Sequence, residues 1–361
     1  MSRLGATPEP SAAFEPASSR DDLVIMIPLF NDWASAQLLL AQVDEVLVND
    51  GREARVLLID DGSTIPVSEA TMPRGGRGVT RIDIVYLRRN LGHQRAIAVG
   101  LAYIEQHVPC RVLILMDGDG EDAPSDLPKL LARFEEKGTE IIFAERTRRS
   151  ETWLFVMFYN LYKLIHVVLT GQGVRVGNFS VIPGVRLKSL VVVSEVWNHY
   201  PAAVFRSRQP YAMVPTQRGH RLVGRSQMNF TRLVVHGLSA ISVYSDIIGV
   251  RLLMATLVLM GMAGAGLFAV LGVRLFTTMA VPGWATNALG IMLIVLLQAA
   301  MFSVVFCFII LGSRQGSSFL PCRDFVYYIG DVSTVYDGLG TESQALPDHA
   351  AVASLGSSPL P

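Results

Sequence analysis

The sequence is poor in charge. Lys, Arg, Asp and Glu make up 17% of its 361 residues, against about 25% in ordinary soluble domains. Half of the residues are hydrophobic and the mean hydropathy is +0.38, so a purely soluble protein is disfavoured. Only three cysteines occur, at 110, 307 and 322, which excludes a disulfide scaffold. Cys307 lies in an apolar run and reads as a structural thiol. The net charge is zero, so bulk charge makes no case for nucleic acid. Neither G-x-x-x-x-G-K-[ST] nor G-x-G-x-x-G is present, which argues against a P-loop or a dinucleotide cradle. The seven histidines show no zinc spacing. No internal repeat is visible.

The most informative absence is local. Between Ile247 and Arg323 there is no acidic residue. Within that stretch Leu252–Val273 and Ala288–Gly312 carry no charge at all, over 22 and 25 residues. About 20 apolar residues cross a hydrocarbon core. Gly261, Gly264 and Gly266 would weaken a soluble helix, but small residues let membrane helices pack closely. The short linker between the spans makes them a hairpin. Arg225, Arg232 and Arg251 precede it, Arg314 and Arg323 follow it, and the linker holds only Arg274. The positive-inside rule therefore puts both termini in the cytoplasm, as expected of a multi-pass protein of a cytoplasmic (inner) membrane.

Charge is also uneven upstream. Residues 1–139 hold 14 basic and 21 acidic side chains, and residues 140–251 hold 14 basic and 5 acidic. An acidic head, a basic collar and an apolar anchor fit a protein held at an anionic bilayer. The expected organisation is a disordered tail over 1–21, a cytoplasmic head over 22–228 and an amphipathic juxtamembrane segment over 229–251. Spans over 252–273 and 288–312 follow, then a largely disordered cytoplasmic tail over 313–361. An aromatic stripe at Trp153, Phe155, Phe158, Tyr159 and Tyr162 fits either an interfacial or a core helix.

Within the head, apolar runs at Leu23–Leu29, Arg55–Ile59, Asp83–Leu87, Val112–Met116 and Glu140–Ala144 read as strands. Helical spacing marks Trp33–Val48, His93–Gln106 and Asp126–Lys137. Alternating strands and helices predict an α/β fold, a mostly parallel sheet covered on both faces. In such sheets ligands bind beyond the carboxyl ends of the strands. Three strands here end in polar clusters: Asn31-Asp32, Asp60-Asp61-Gly62-Ser63 and Asp117–Asp122. Carboxylates repel a diphosphate, but they can hold one through a divalent cation. Asp117 and Asp119, with Glu121 and Asp122 behind them, suit Mg²⁺ or Mn²⁺ shared with substrate phosphates.

The ordered series IPLFND, LIDDGS, NLGHQRAIAVG, MDGDGED, GNFSVI and RLVGRSQMN, followed by two spans, resembles family 2 glycosyltransferases of GT-A fold. The nearest subgroup is the polyprenyl-phosphate, dolichol-phosphate-type enzymes. The likeness covers about residues 22–312. It implies that Pro28, Asn31, Asp60 and Asp61 line the nucleotide pocket, with Asn90, Gly92 and Arg95 beside it. It makes Asp117 and Asp119 the Asp-x-Asp pair, with Asp117 also toward the donor and Asp119 and Glu121 on the metal. Arg146 and Arg149 match arginines that approach the lipid phosphate. Arg221, Gly224 and Ser226 match an Arg-x-x-Gly-x-Ser element that closes over diphosphate and acceptor. Asn178 and Ser180 fall on the acceptor side, where this chain departs from the family pattern: Ser180 stands in place of Arg. Gln-x-x-Arg-Trp is missing, which argues against a processive synthase.

The implied reaction is inverting transfer from a UDP- or GDP-sugar to polyprenyl phosphate at the cytoplasmic face. A hydroxyl acceptor is the alternative and would need a general base. Glu195, the only carboxylate between Glu151 and Asp246, is the candidate. A non-catalytic nucleotide-sugar-binding scaffold is the third reading. The bilayer is an expected partner, nucleic acid is not, and a homo-oligomer is left open. His93 at its helix start is read as structural, and His199 is left unassigned.

Overall fold

The computed structural model describes residues 22–146, 165–171, 176–217, 219–223, 230–277, 283–315 and 319–338. The aromatic stripe of 153–162 therefore lies outside the described residues, as do Arg149, Gly224, Ser226 and both terminal tails.

The head is built on one sheet. Its strands are β1 (Leu23–Leu29), β2 (Ala54–Asp60), β3 (Val79–Leu87), β4 (Val112–Leu115), β5 (Ile141–Arg146), β6 (Val176–Pro183), β7 (Tyr211–Thr216) and β8 (Ile329–Asp337). Their order is β7-β5-β6-β4-β1-β2-β3-β8. β1 pairs in parallel with β2 and β4, β2 with β3, and β5 with β7. β6 and β8 run against their neighbours. All seven residues of β1 are buried, as a central parallel strand covered on both faces requires.

Alternation along the strands separates two cores. Leu23, Ile25, Ile27 and Leu29 face a core shared with helices α1 (Trp33–Asn49) and α3 (Leu127–Lys137). Val24 and Met26 face the other core, shared with α2 (His93–His107), α4 (Gly184–Leu190) and α5 (Tyr200–Arg206). This is the mostly parallel sheet between helices expected of a GT-A fold. β6 and β7 were not anticipated, and the insertion of antiparallel β6 separates β4 from β5.

Two long helices follow the short α6 (Phe230–Ser242): α7 (Ser245–Phe276) and α8 (Trp284–Gln315). Each has 32 residues, more than the expected spans. At about 1.5 Å per residue either is longer than a hydrocarbon core. Only 6% of each apolar window is buried, so neither is the core helix of a soluble domain. The helices meet at Thr256 and Ser303, whose hydroxyls lie 2.9 Å apart. Gly249 packs on Ile310 and Gly266 faces Met292, but Gly261 and Gly264 face open space. Close approach therefore uses fewer of the glycines than their cluster suggested.

The expected disorder after 313 does not hold for residues 319–338. They form a short helix, a 3-10 turn and β8. Phe325 is 1% exposed in the α2-side core. The backbone N–H of Cys322 donates to Val191 O at 3.0 Å, and Gln106 donates to Cys322 O at 2.9 Å. β8 covers the β3 edge, where Thr334 donates to the buried Asp83 carboxylate at 2.6 Å. Arg55 and Arg81 pair with the same carboxylate at 2.7 and 3.0 Å. The chain thus returns from the hairpin to finish the sheet.

Phe325→Ala is expected to cost about 3–5 kcal/mol, the range for an aromatic removed from a core. Unfolding midpoints of the detergent-solubilised full chain would measure this. A change below about 0.5 kcal/mol, typical of surface positions, would return the segment to a loose tail.

Candidate active site

The carboxyl ends of β1, β2 and β4 open at one edge of the sheet. Asn31, at a φ of 55°, ends the β1 turn. Its side-chain oxygen accepts from the backbone N–H groups of Thr64 and Ile65 at 2.8 and 2.9 Å. Its own N–H donates to Ser63 Oγ at 2.8 Å. Asp60 accepts from Ser63 N at 3.0 Å. These bonds fix the loop after β2.

Asp61 is 3% exposed, and both of its oxygens are engaged. One accepts from Leu91 N at 2.6 Å and the other from Gly92 N at 2.8 Å. Burial pushes its pKa up, against the pull of those two N–H groups and the charge of His93. Gly62 has a φ of 67°, and a Cβ there would lie 2.6 Å from backbone atoms of Arg89 and Asn90. Only glycine lets the β2 loop press against the segment that opens α2. Asp60 and Asp61 thus shape the expected nucleotide pocket from beneath. Asn90 is exposed at its rim, and Pro28 is buried in β1.

The loop after β4 carries the Asp-x-Asp pair. The backbone N–H of Asp117 donates to the buried Asp122 carboxylate at 2.9 Å. The Asp117 side chain, 24% exposed, meets His93 Nε2 at 3.0 Å and Asn178 Nδ2 at 3.3 Å. Asp119 accepts from Glu121 N at 3.0 Å and from Arg221 Nη1 at 3.2 Å. The other Arg221 amino group donates to Asp32 at 2.9 Å, so one guanidinium bridges the ends of β1 and β4. Backbone bonds brace the same approach, Leu222 N to Asp119 O at 3.0 Å and Gly219 N to Glu121 O at 2.8 Å.

Electrostatics follow from this crowding. Burial raises the Asp119 pKa, and the charges of Asp117 and Glu121 add to it, while Glu121 N–H and Arg221 oppose it. The His93 side chain is 42% exposed, and the carboxylate of Asp117, with those of Asp61 and Asp119, carries its pKa upward.

The structure therefore brings Asp117, Asp119 and Arg221 together, with Asn178 beside them. It places other expected residues elsewhere. Arg95 lies over the Trp197 ring, 5.1 Å from its centroid, and not in the cluster. Ser180 is fully buried, its hydroxyl donating to Asn178 O at 2.9 Å and meeting Tyr200 OH at 2.8 Å. It offers no surface to an acceptor. Arg146 ends β5, with its side chain outside the described residues. Glu195 pairs with Arg206 at 3.2 Å. Sequence reading gave no individual role to Asp32 or Gln94, although Asp32 lay in a strand-end cluster and Gln94 in the NLGHQRAIAVG motif; Asp122, read beside the metal carboxylates, instead accepts the Asp117 N–H.

Among the described residues no three His, Cys, Asp or Glu side chains gather to hold a metal alone. The donor set still fits a hard cation. Mg²⁺ is commonly held by one or two carboxylates together with substrate phosphates, and Asp119 with Glu121 supply that many.

The family described as glycosyl transferase family 2 matches residues 24–180. An undecaprenyl-phosphate 4-deoxy-4-formamido-L-arabinose transferase from Enterobacter sp. (strain 638) is 24% identical over 320 residues, 86% of this chain and 88% of that protein. Glucosyl-3-phosphoglycerate synthase from Mycobacterium tuberculosis, crystallised with Mn²⁺ and UDP-glucose, aligns with a TM-score of 0.44 at 14% identity, covering 63% of this chain and 79% of that one. Mannosyl-3-phosphoglycerate synthase from Rubrobacter xylanophilus aligns with a TM-score of 0.43 at 14% identity, covering 61% and 72%. Residues 24–180, which carry the strand-end cluster and Asn178, are a glycosyl transferase family 2 domain.

Proposed function

We propose that the chain is a membrane-anchored, inverting glycosyltransferase moving a sugar from a nucleotide-sugar donor to polyprenyl phosphate at the cytoplasmic face of the inner membrane. The observation that carries this is the meeting of Asp117, Asp119 and Arg221 at the carboxyl edge of a family 2 sheet whose chain continues into two long apolar helices. The undecaprenyl-phosphate relative, matched over 88% of its length, supports the acceptor class.

The roles follow from chemistry. As the sugar–phosphate bond breaks, negative charge builds on the leaving nucleoside diphosphate. A divalent ion at Asp119 and Glu121, Mg²⁺ or Mn²⁺, would supply Lewis-acid stabilisation of that charge. Arg221, fixed by Asp32 and Asp119, presents a guanidinium suited to phosphate oxygens. Asp117 orients the donor. A phosphate acceptor is already anionic near neutral pH and needs no base. A hydroxyl acceptor needs one, and the carboxylate offered for it, Glu195, is tied to Arg206. That pairing favours the phosphate. Incubating the purified chain in vesicles with a panel of UDP- and GDP-sugars and undecaprenyl phosphate tests the reading. A phosphate-linked glycolipid is expected, and transfer only to lipid hydroxyls would overturn it.

Asp119→Asn is expected to lower kcat by at least about 10²-fold, the scale for loss of one group that stabilises transition-state charge. In EDTA the same variant should unfold at a higher temperature than the wild type at pH 7. The folded-state pKa of Asp119 is raised, so ionisation destabilises the native state above it. The gain should fade as pH falls from that raised value through the ordinary 3.8. Full activity with unchanged stability would contradict both assignments.

Arg146→Ala and Arg149→Ala are expected to raise the acceptor KM more than the donor KM, because arginine pairs grip phosphate through parallel hydrogen bonds. Kinetics with each substrate varied in turn would check this, and a change confined to the donor KM would remove both from the acceptor.

A further inference from the structure

Asp117 projects from the loop after β4 among other carboxylates. Asp119, Glu121 and Asp122 share that loop. Like charges so placed push a side chain toward solvent. Two donors hold Asp117 instead. His93 Nε2 lies 3.0 Å from Asp117 Oδ1, and Asn178 Nδ2 lies 3.3 Å from the same oxygen. The ring nitrogen and the amide nitrogen are themselves 3.0 Å apart. A carboxylate only accepts, so the contact with Asp117 requires the proton on Nε2; Nε2 then accepts nothing from Asn178, and both nitrogens donate to the one Asp117 oxygen.

The brace continues behind them. Gln94 Nε2 donates to Asn178 Oδ1 at 3.0 Å, and its Oε1 accepts from Tyr200 N at 2.7 Å. Tyr200 is fully buried, and its hydroxyl meets Ser180 on β6. His93 and Gln94 are neighbours in the first turn of α2. One loop carboxylate is therefore tied to a helix start, an antiparallel strand and α5 at once.

Resting on the glycosyltransferase reading, we propose that His93 is a positioning residue for Asp117: with Asn178 it fixes the carboxylate that orients the donor, and Gln94 locks that pair to β6 and α5. Asn178 and Ser180 then serve the donor carboxylate and its support, which accounts for residues that depart from the family's acceptor-side pattern.

The test uses the full chain in vesicles, the UDP- or GDP-sugar that the wild type turns over, and undecaprenyl phosphate. Values of kcat and both KM would be taken for His93→Ala, His93→Gln and Gln94→Ala. Calorimetric binding of UDP and of GDP with Mn²⁺, and unfolding midpoints, would be measured alongside. His93→Ala should lower kcat by about 10²-fold, the scale of a misplaced catalytic group, with the acceptor KM unchanged. His93→Gln keeps a donor and should recover to within about tenfold of the wild type. Gln94→Ala should fall in the same direction as His93→Ala and by less. A folded His93→Ala chain with unchanged kcat and donor KM would overturn the proposal. Equal losses in the Ala and Gln variants would do so too, assigning His93 to the helix start alone. A wild type that turns over no donor and binds neither UDP nor GDP would overturn the glycosyltransferase reading and this role with it.

Discussion

Like charge at one edge of the sheet is the constraint on which the rest of the site depends. Asp60 ends β2, and Asp32, Asp61, Asp117, Asp119, Glu121 and Asp122 lie on the loops that leave β1, β2 and β4. The fold handles them in three ways. Asp60, Asp61 and Asp122 accept backbone N–H groups and so become part of the loops. Asp32 and Asp119 share the Arg221 guanidinium. Asp117 is held by His93 and Asn178. What is left, among the described residues, is an edge with well-placed carboxylates and the Arg221 guanidinium. Under the proposed function, an anionic donor at such an edge calls for added positive charge.

The same head grips its anchor on both sides of the hairpin. At the start of α7, Arg206 pairs with Asp246 at 2.8 Å, and just before it Val243 and Tyr244 pack with Ala202. After α8, Phe319 stacks on Trp197 with ring centroids 3.6 Å apart, and residues up to 338 complete the sheet. A part-exposed ion pair contributes little by itself. The buried Phe325 and the β3–β8 ladder supply most of the hold. The 3-10 turn Ser194–Trp197 and α5 receive both attachments, and α5 also carries Tyr200, which supports Gln94. The site and the anchor thus share one short stretch of chain.

Much of this was legible in the sequence because it is local. Apolar runs leading into polar clusters gave β1, β2 and β4 nearly residue for residue, and uncharged stretches gave both long helices. The rest depends on distant partners. β8 pairs with residues some 250 positions earlier, as Thr334 does with Asp83. Its run of Val332, Thr334, Val335 and Tyr336 favours a strand, but nothing nearby names the edge it covers. Ser180 sat in a motif that pointed to the acceptor, yet strand alternation buries it against Tyr200. His93 was read as structural because a helix-start histidine gives no hint of the carboxylate it faces across the sheet edge. Arg221 was found from its motif, but its second partner, Asp32, emerged only from the fold.

The most direct test of the account is equilibrium binding of UDP and GDP to the full chain, titrated with and without Mg²⁺ or Mn²⁺. An edge built from carboxylates should bind one of these nucleotides tightly with the cation and lose that binding in EDTA. Equal affinity with and without the cation would contradict it, and would leave the diphosphate charge to the arginines alone.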